Sequence, residues 1–421
     1  MRKYNFIEYK IANTLRKFPK LKASVKKIYS IINYFINKKN YSIKTDFKVK
    51  KISDNNKESF FGYYDKSPEN FNGEYILFHS VENGNTTKKP NTVEKIFICV
   101  MNRKTGKIVA KIESSAFNWQ QGSKAQWLNN DTFIFNDYNY NTQNYISNIY
   151  SIKAKKIIKN NHFPIYDISS TLLSATIDFR RLSILRPDYG YFSHKSISLE
   201  KTFCKIDIYD LSNQKLLLCL ELDKLITQCP SNFFQNETIH KFNHLMFSPD
   251  GTHLLFIHRF YNLRIRHDRL ICFNLKTEKS IALTKIGIVS HCFWIDNETV
   301  FGFMEIDNKK AYYYININTL LYKEYIPLSN FGDGHPSVKS SFILTDTYPD
   351  RARNKSLILS NINNQKAKII ASVFEPLKYN GQTRCDLHPR FSYNNGNRIY
   401  IDSVHENKRH LYLLELKEND E

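Results

Sequence analysis

The stretch His244-Leu-Met-Phe-Ser-Pro-Asp-Gly-Thr-His-Leu-Leu-Phe-Ile-His258, followed by Arg269-Leu-Ile-Cys-Phe-Asn-Leu275, decides the fold. It reads as an inner strand, a tight turn, a second strand and a third. The turn chemistry is specific, because Pro249 pre-sets φ and Gly251 admits positive φ. Apolar, β-branched and aromatic residues fill the runs on either side, as strands favour.

The same unit recurs along the chain, and a fixed period is the signature of a repeat architecture. Tyr63-Tyr-Asp-Lys-Ser67-Pro68 leads into Tyr75-Ile-Leu-Phe78, and Lys124-Ala-Gln-Trp127 leads into Thr132-Phe-Ile-Phe135. A looser copy starts at Asp167-Ile-Ser-Ser170. His291-Cys-Phe-Trp294 precedes Val300-Phe-Gly-Phe303, and His335-Pro-Ser-Val338 precedes Phe342-Ile-Leu344. His388-Pro-Arg-Phe391 precedes Arg398-Ile-Tyr-Ile401. With the opening unit this makes seven copies, the third stretched by an insertion near residues 180–200. A period of roughly 40 to 55 residues fits one four-stranded blade per repeat. The expected fold is therefore all-β: a seven-bladed β-propeller over 45–421 behind a basic amphipathic helical segment, 1–44. The last unit lacks a fourth strand after Leu411-Tyr-Leu-Leu-Glu415, and Phe47-Lys-Val-Lys-Lys-Ile52 is placed to supply it and close the ring. An up-and-down sandwich does not explain the repeated turn.

The N-terminal segment has a different period. Ile28, Ile31, Ile32 and Phe35 fall on one helical face, as do Ile7, Ile11 and Leu15 upstream, with Pro19 dividing the two stretches. Residues 1–40 carry eleven Lys/Arg and one acid, Glu8, which is about half of the chain's net charge of +21. A helix with an apolar face and a cationic remainder suits an anionic membrane surface; the alternative is a helix pair packed on the propeller's side. Outside this segment the charge is spread thinly with no nucleic-acid-binding signature, which argues against nucleic acid. Seven scattered cysteines with no CxxC pair suggest a reducing compartment. No cleavable leader pattern and no run of about 18 apolar residues is read in the chain. The expectation is a cytoplasmic protein, peripheral to the inner membrane if residues 1–40 bind lipid.

In a propeller the first strand of each blade lines the central channel, so equivalent repeat positions converge. Aligning the units puts His244, His291, His335 and His388 in register in four consecutive blades, with Tyr63 there in the first blade and Lys124 in the second. Clustered imidazoles suit a divalent transition metal or proton transfer near neutral pH. Asp386 lies two residues before His388 and projects to the same side of an extended stretch, so the pair can complete a metal site with His335. Arg259, Arg384 and Lys124 are candidates for gripping a carboxylate, arginine by a bidentate fork. Asn118, Trp119, Gln120 and Gln121 offer amides and an aromatic face, which suits a sugar. Taken singly, each of these residues is more often a turn or packing residue.

Several stretches carry a resemblance. The Ser-Pro-Asp-Gly turn at 248–251 resembles the repeat of Tol-type propellers. Gly334-His-Pro-Ser with Thr345-Asp-Thr, and Asp386-Leu-His-Pro-Arg-Phe-Ser392 with Asp402-Ser-Val-His-Glu406, resemble the seven-bladed oligogalacturonate lyases and, more loosely, the propeller ulvan lyases. Phe60-Phe-Gly-Tyr-Tyr-Asp-Lys-Ser-Pro68 and Asn118-Trp-Gln-Gln-Gly122 are similar to stretches of bacterial propellers from surface-polysaccharide gene clusters. The lyase resemblance implies a divalent metal (manganese or zinc) with His335 and His388 as two of its ligands. This chain departs from the pattern in having Asp386 where the family has a histidine, and Thr383, beside Gln382, where it has a glutamine.

By that resemblance the expected activity is metal-assisted β-elimination on an acidic, uronic-acid glycan. The metal falls to His335, Asp386 and His388, helped by Arg259. His244 or His291 is the candidate base, and Tyr63 or Tyr64 the acid for the leaving oxygen. The alternative is a non-catalytic propeller that binds acidic polysaccharide or scaffolds capsule assembly at the inner membrane face. A glycosyltransferase has less support, since no nucleotide-phosphate loop is present.

Overall fold

The computed structural model describes residues 19–37, 41–53, 56–82, 85–234, 238–262 and 265–416. Helix α1 (Pro19–Asn37) leads into two short strands, β1 (Ile43–Lys44) and β2 (Lys48–Lys51). The first blade is β3 (Glu58–Phe60), β4 (Tyr75–Val81), β5 (Ile96–Asn102) and β6 (Ile108–Ser114). The second is β7 (Gln126–Trp127), β8 (Thr132–Asn139), β9 (Asn144–Ser151) and β10 (Lys156–Asn161). The third is β11 (Asp167–Ile168), β12 (Leu173–Thr176), β13 (Lys205–Asp210) and β14 (Lys215–Glu221), with helix α2 (Phe179–Leu185) inserted after β12. Helix α3 (Leu222–Gln228) precedes the fourth: β15 (Ile239–Phe247), β16 (His253–Asn262), β17 (Ile265–Asn274) and β18 (Lys279–Ala282). The fifth is β19 (Val289–Trp294), β20 (Thr299–Ile306), β21 (Lys309–Asn316) and β22 (Tyr322–Glu324). The sixth is β23 (Ser337–Lys339), β24 (Phe342–Asp346), β25 (Asn354–Asn361) and β26 (Lys366–Phe374). The seventh contributes β27 (Arg390–Phe391), β28 (Arg398–Ser403) and β29 (His410–Glu415).

Each sheet is an antiparallel meander, and the ring closes where the repeat pattern placed the closure. Strand β2 pairs with β29 from Lys48↔Glu415 to Lys51↔Tyr412 and completes the seventh blade. Strand β1 adds a fifth strand to the sixth blade through Ile43↔Val373, a pairing the sequence did not signal. The deciding turn folds by its own side chains. Ser248 Oγ donates to Asp250 Oδ1 at 2.6 Å and accepts from the His253 amide, while Gly251 sits at φ +73°, where a side chain is disfavoured.

Neighbouring blades are clasped by a repeated device. The fifth residue of a second strand accepts an amide from the next blade's inner segment. Asn136 takes Ile165 N at 2.7 Å, Asp346 takes His388 N at 3.3 Å, and Asp402 takes Phe61 N and Gly62 N at 2.9 Å. His79 does the same for Ser123 N. Two indoles reach back to the previous blade, Trp127 to Pro68 O and Trp294 to Met246 O. Apolar layers fill the space between the sheets, for example Leu77, Phe133, Tyr400 and Leu411 in one cluster.

Helix α1 begins at Pro19, where a ring that lacks an N–H is tolerated in the first turn. The upstream stretch with Ile7, Ile11 and Leu15 lies outside the described residues. The seven cysteines are all free.

Candidate functional site

The inner strands do more than line the channel; irregular backbone aims particular side chains into it. Lys124, His244 and His388 occupy equivalent repeat positions and all take positive φ, 55°, 56° and 43°. Strand β15 shifts register between Asn243 and Met246, and β19 between Val289 and Cys292, on either side of His244 and His291. Non-glycine residues at positive φ are uncommon and cluster at functional sites. Three in register mark this level of the channel.

The four histidines form a continuous arc. Ring centroids lie 5.0 Å apart for His244–His291, 4.0 Å for His291–His335 and 4.4 Å for His335–His388. Tyr63 closes it, 5.1 Å from His388 and 5.2 Å from His244. Its hydroxyl is 2.5 and 2.9 Å from the two ring nitrogens of His244. Tyr64 has another job: its hydroxyl donates to Cys292 O at 2.8 Å and accepts from Cys292 N at 3.2 Å, so it is a strut across the channel.

Two imidazoles are set up as ligands. His388 Nδ1 lies 2.7 Å from Gly62 O and His335 Nδ1 lies 2.8 Å from Asp346 Oδ1. A carbonyl and a carboxylate only accept, so each Nδ1 carries a proton and each neutral ring presents its lone pair at Nε2. Each Nε2 is buried with no hydrogen-bond partner. An unpartnered buried polar atom costs about 1–3 kcal/mol, and two on rings whose centroids lie 4.4 Å apart suit a shared occupant. A ligand atom from each of His335, Asp386 and His388 falls within 4.8 Å of the others. Nδ1 bonding to a carboxylate or carbonyl is how metal-ligating histidines are oriented. Two nitrogens and a carboxylate oxygen fit a divalent transition ion.

The charges agree with that reading. Burial alone would raise the Asp386 pKa, but Arg384 (Nε to Oδ2, 2.7 Å) and Lys355 hold it well below the carboxylate range. Burial pushes His388 and His244 well below 6.5, and His291 to about 4, with neighbouring imidazoles adding to the effect. For His335 burial also opposes the charge, but Asp346 outweighs it and the pKa rises.

The remaining candidates are placed less simply. Arg259 is buried against Asp268, Nε to Oδ1 at 2.5 Å, and its charge is matched within the blade. Arg384 bridges Asp386 and Asp188, the latter at 2.6 Å. Lys124 lies 4.3 Å over the Tyr166 ring and 3.9 Å from Asp65. Asn118 Oδ1 accepts the amides of Gln120 and Gln121, folding the loop back on itself. Trp119 is 1% exposed and donates to Lys88 O, so it presents no open face. Gln120 Nε2 reaches Arg384 O, and Arg409 ties both loops together through Trp119 O, Thr383 O and Arg384 O. Gln120 and Gln121 each keep a buried amide oxygen without a partner.

Several neighbours escaped the sequence reading. Asp346 belongs to the quoted Thr345-Asp-Thr, and its fifth-residue position in the second strand was the available signal. Asp188 and Tyr189 lie in the third-blade insertion, where no repeat register applies. Tyr189 packs 5.8 Å from both Tyr63 and His244, and Asp188 pairs with Arg186 at 3.1 Å as well as with Arg384. The insertion thus covers the mouth of the histidine arc.

Comparison with known proteins gives the fold and stops there. No family model matches the chain, and no curated protein matches it. Among solved structures, an oligogalacturonate lyase in complex with manganese is similar at TM-score 0.60 and 14% identity, over 89% of this chain and 94% of that one. The oligogalacturonate lyase from Vibrio parahaemolyticus is similar at TM-score 0.60 and 14% identity, over 90% and 98%. TolB from Acinetobacter baumannii reaches TM-score 0.40 at 13% identity, over 77% and 76%. This chain is a seven-bladed propeller whose fold is similar to that of oligogalacturonate lyase.

Proposed function

We propose that the channel holds a divalent metal on His335, Asp386 and His388, and that the protein cleaves uronic-acid glycans by β-elimination. The observation that carries this reading is that His335 and His388, each with a partnerless Nε2, bring a ligand atom apiece within 4.8 Å of each other and of one from Asp386. The solved lyase's complex with manganese supports manganese ahead of zinc.

A metal at this site supplies a Lewis acid for the substrate carboxylate, which makes the adjacent proton removable. The chain's own residues then carry the proton. His244, kept neutral by burial, takes the proton α to the carboxylate. The electron pair left behind forms the ring double bond, and the bond from the neighbouring carbon to the 4-linked oxygen breaks. Tyr63 gives its proton to that oxygen and recovers one from His244 across their contact. Tyr63→Phe is expected to lower kcat by about 100-fold with little change in KM, the scale of a lost general acid.

Two observations favour a second reading, a non-catalytic propeller. Arg259 and Arg384 are matched by internal carboxylates, and Asp188 and Tyr189 cover the arc. Metal content of the purified protein, measured by mass spectrometry alongside His335→Ala and His388→Ala, tests the first reading. About one equivalent, lost in both variants, together with ultraviolet-absorbing unsaturated products from uronides, supports it. A metal-free wild type that releases no such product overturns it.

A further inference from the structure

We propose that helix α1 seats the propeller on an anionic membrane surface, lying in the interface without crossing it. The inference rests on residues that folding leaves uncovered and does not depend on the chemistry of the channel. Ile28, Ile31, Ile32, Phe35 and Ile36 are 57%, 38%, 51%, 69% and 75% exposed. They stand at i, i+3, i+4, i+7 and i+8, one continuous stripe along a helix. A lone exposed apolar residue means little, but five in a stripe mark an interaction surface.

The rest of the helix says what covers the stripe. Over its 19 residues it carries Lys20, Lys22, Lys26 and Lys27 and no acidic residue. The preceding residues add Arg2, Lys3, Lys10, Arg16 and Lys17 against the single acid Glu8. A second protein surface would need a matching acidic groove, whereas an anionic bilayer offers negative headgroups above an apolar interior. Each lysine near such a surface strengthens binding roughly fivefold, and the apolar stripe sinks to the acyl boundary. Among the described residues no helix is long and apolar enough to cross a membrane.

The helix is also held to the propeller at a defined place. Tyr34 stacks on Phe374 of β26 with ring centroids 5.9 Å apart, and β1 continues onto the same strand. Lys44 of β1 is exposed on the same edge of the sixth blade. The contact therefore places the membrane-binding helix at the sixth blade.

The test is co-sedimentation of the full chain with vesicles of phosphatidylcholine alone or with about one third phosphatidylglycerol. Wild type is expected to partition at least tenfold more onto the anionic vesicles and to release as salt rises. Ile32→Ser with Phe35→Ser changes only exposed positions, so the fold persists and partitioning should fall at least tenfold. Lys26→Glu with Lys27→Glu should abolish the preference for the anionic lipid. Equal binding to both vesicles overturns the proposal, and so does partitioning that ignores the serine substitutions. Wild type that stays off vesicles and forms a dimer lost in the serine variant assigns the stripe to a second copy and also overturns it.

Discussion

Replacing Asp346 by asparagine separates a metal centre from a structural cluster of imidazoles. Asp346 Oδ1 accepts from both Nδ1 and the backbone N of His335 at 2.8 Å, and Oδ2 accepts from His388 N at 3.3 Å. Asparagine keeps the shape and one acceptor, so the blade clasp survives in part and the protein should still fold. It loses the negative charge that fixes the His335 tautomer and strengthens Nε2 as a donor. Losing such a partner lowers metal affinity about 10- to 100-fold, or about 1.4–2.8 kcal/mol. The pH dependence sharpens the test. Asp346 lifts the His335 pKa above 6.5, so ligation in wild type releases a proton at mildly acidic pH, and affinity should climb as pH rises through that range. In the asparagine variant Asp346's share of that lift is gone, so the variant's deficit should be largest near pH 8 and shrink towards pH 6. Manganese titration by calorimetry at both pH values reads this. Equal affinity of wild type and variant near pH 8, or no binding by wild type at either pH, would refute the reasoning.

Other expectations follow from the same contacts. Asp402→Ala leaves Phe61 N, Gly62 N and the buried Arg390 (2.9 Å from Oδ2) without their carboxylate, and should cost about 3–5 kcal/mol in urea denaturation. Burial favours the neutral form of Asp268, but Arg259 and Arg266 hold its pKa below 3.8. Its stabilisation is thus full above the unfolded-state pKa and lost as pH falls through the folded value; Asp268→Asn should be less stable at neutral pH and show a flatter acid limb. Asp188→Asn removes the ion pair holding the insertion over the arc, so amide exchange across 179–203 should quicken about tenfold while the global unfolding midpoint barely moves.

Much of this protein is written locally. The Ser-Pro-Asp-Gly turn folds through bonds between residues at most five apart, so a window of a few residues carries it. Repetition did the rest: because each blade reuses one template, aligning the copies placed four histidines and Tyr63 at one level of the channel. Ring closure by Phe47–Ile52 was legible for the same reason, as the one blade short of a strand needed one.

Only the tertiary structure decided what those residues face. That Arg259 belongs to Asp268, that Arg384 answers to Asp188 from 196 residues away, and that Trp119 is buried could not be read from their types. The tautomers of His335 and His388 are likewise fixed by partners, Asp346 and Gly62 O, which the sequence motifs quote without pairing. The physical reason is that side-chain charge, hydrogen bonding and burial are settled by whichever group packs opposite, whether on the next strand of the same blade, as for Arg259 and His335, or on a distant segment, as for Arg384 and His388. The insertion holding Asp188 and Tyr189 breaks the repeat, so no internal copy shows where it goes. Sequence determined the ring and the level of the site; folding decided which of its groups are paired and which remain open to a ligand.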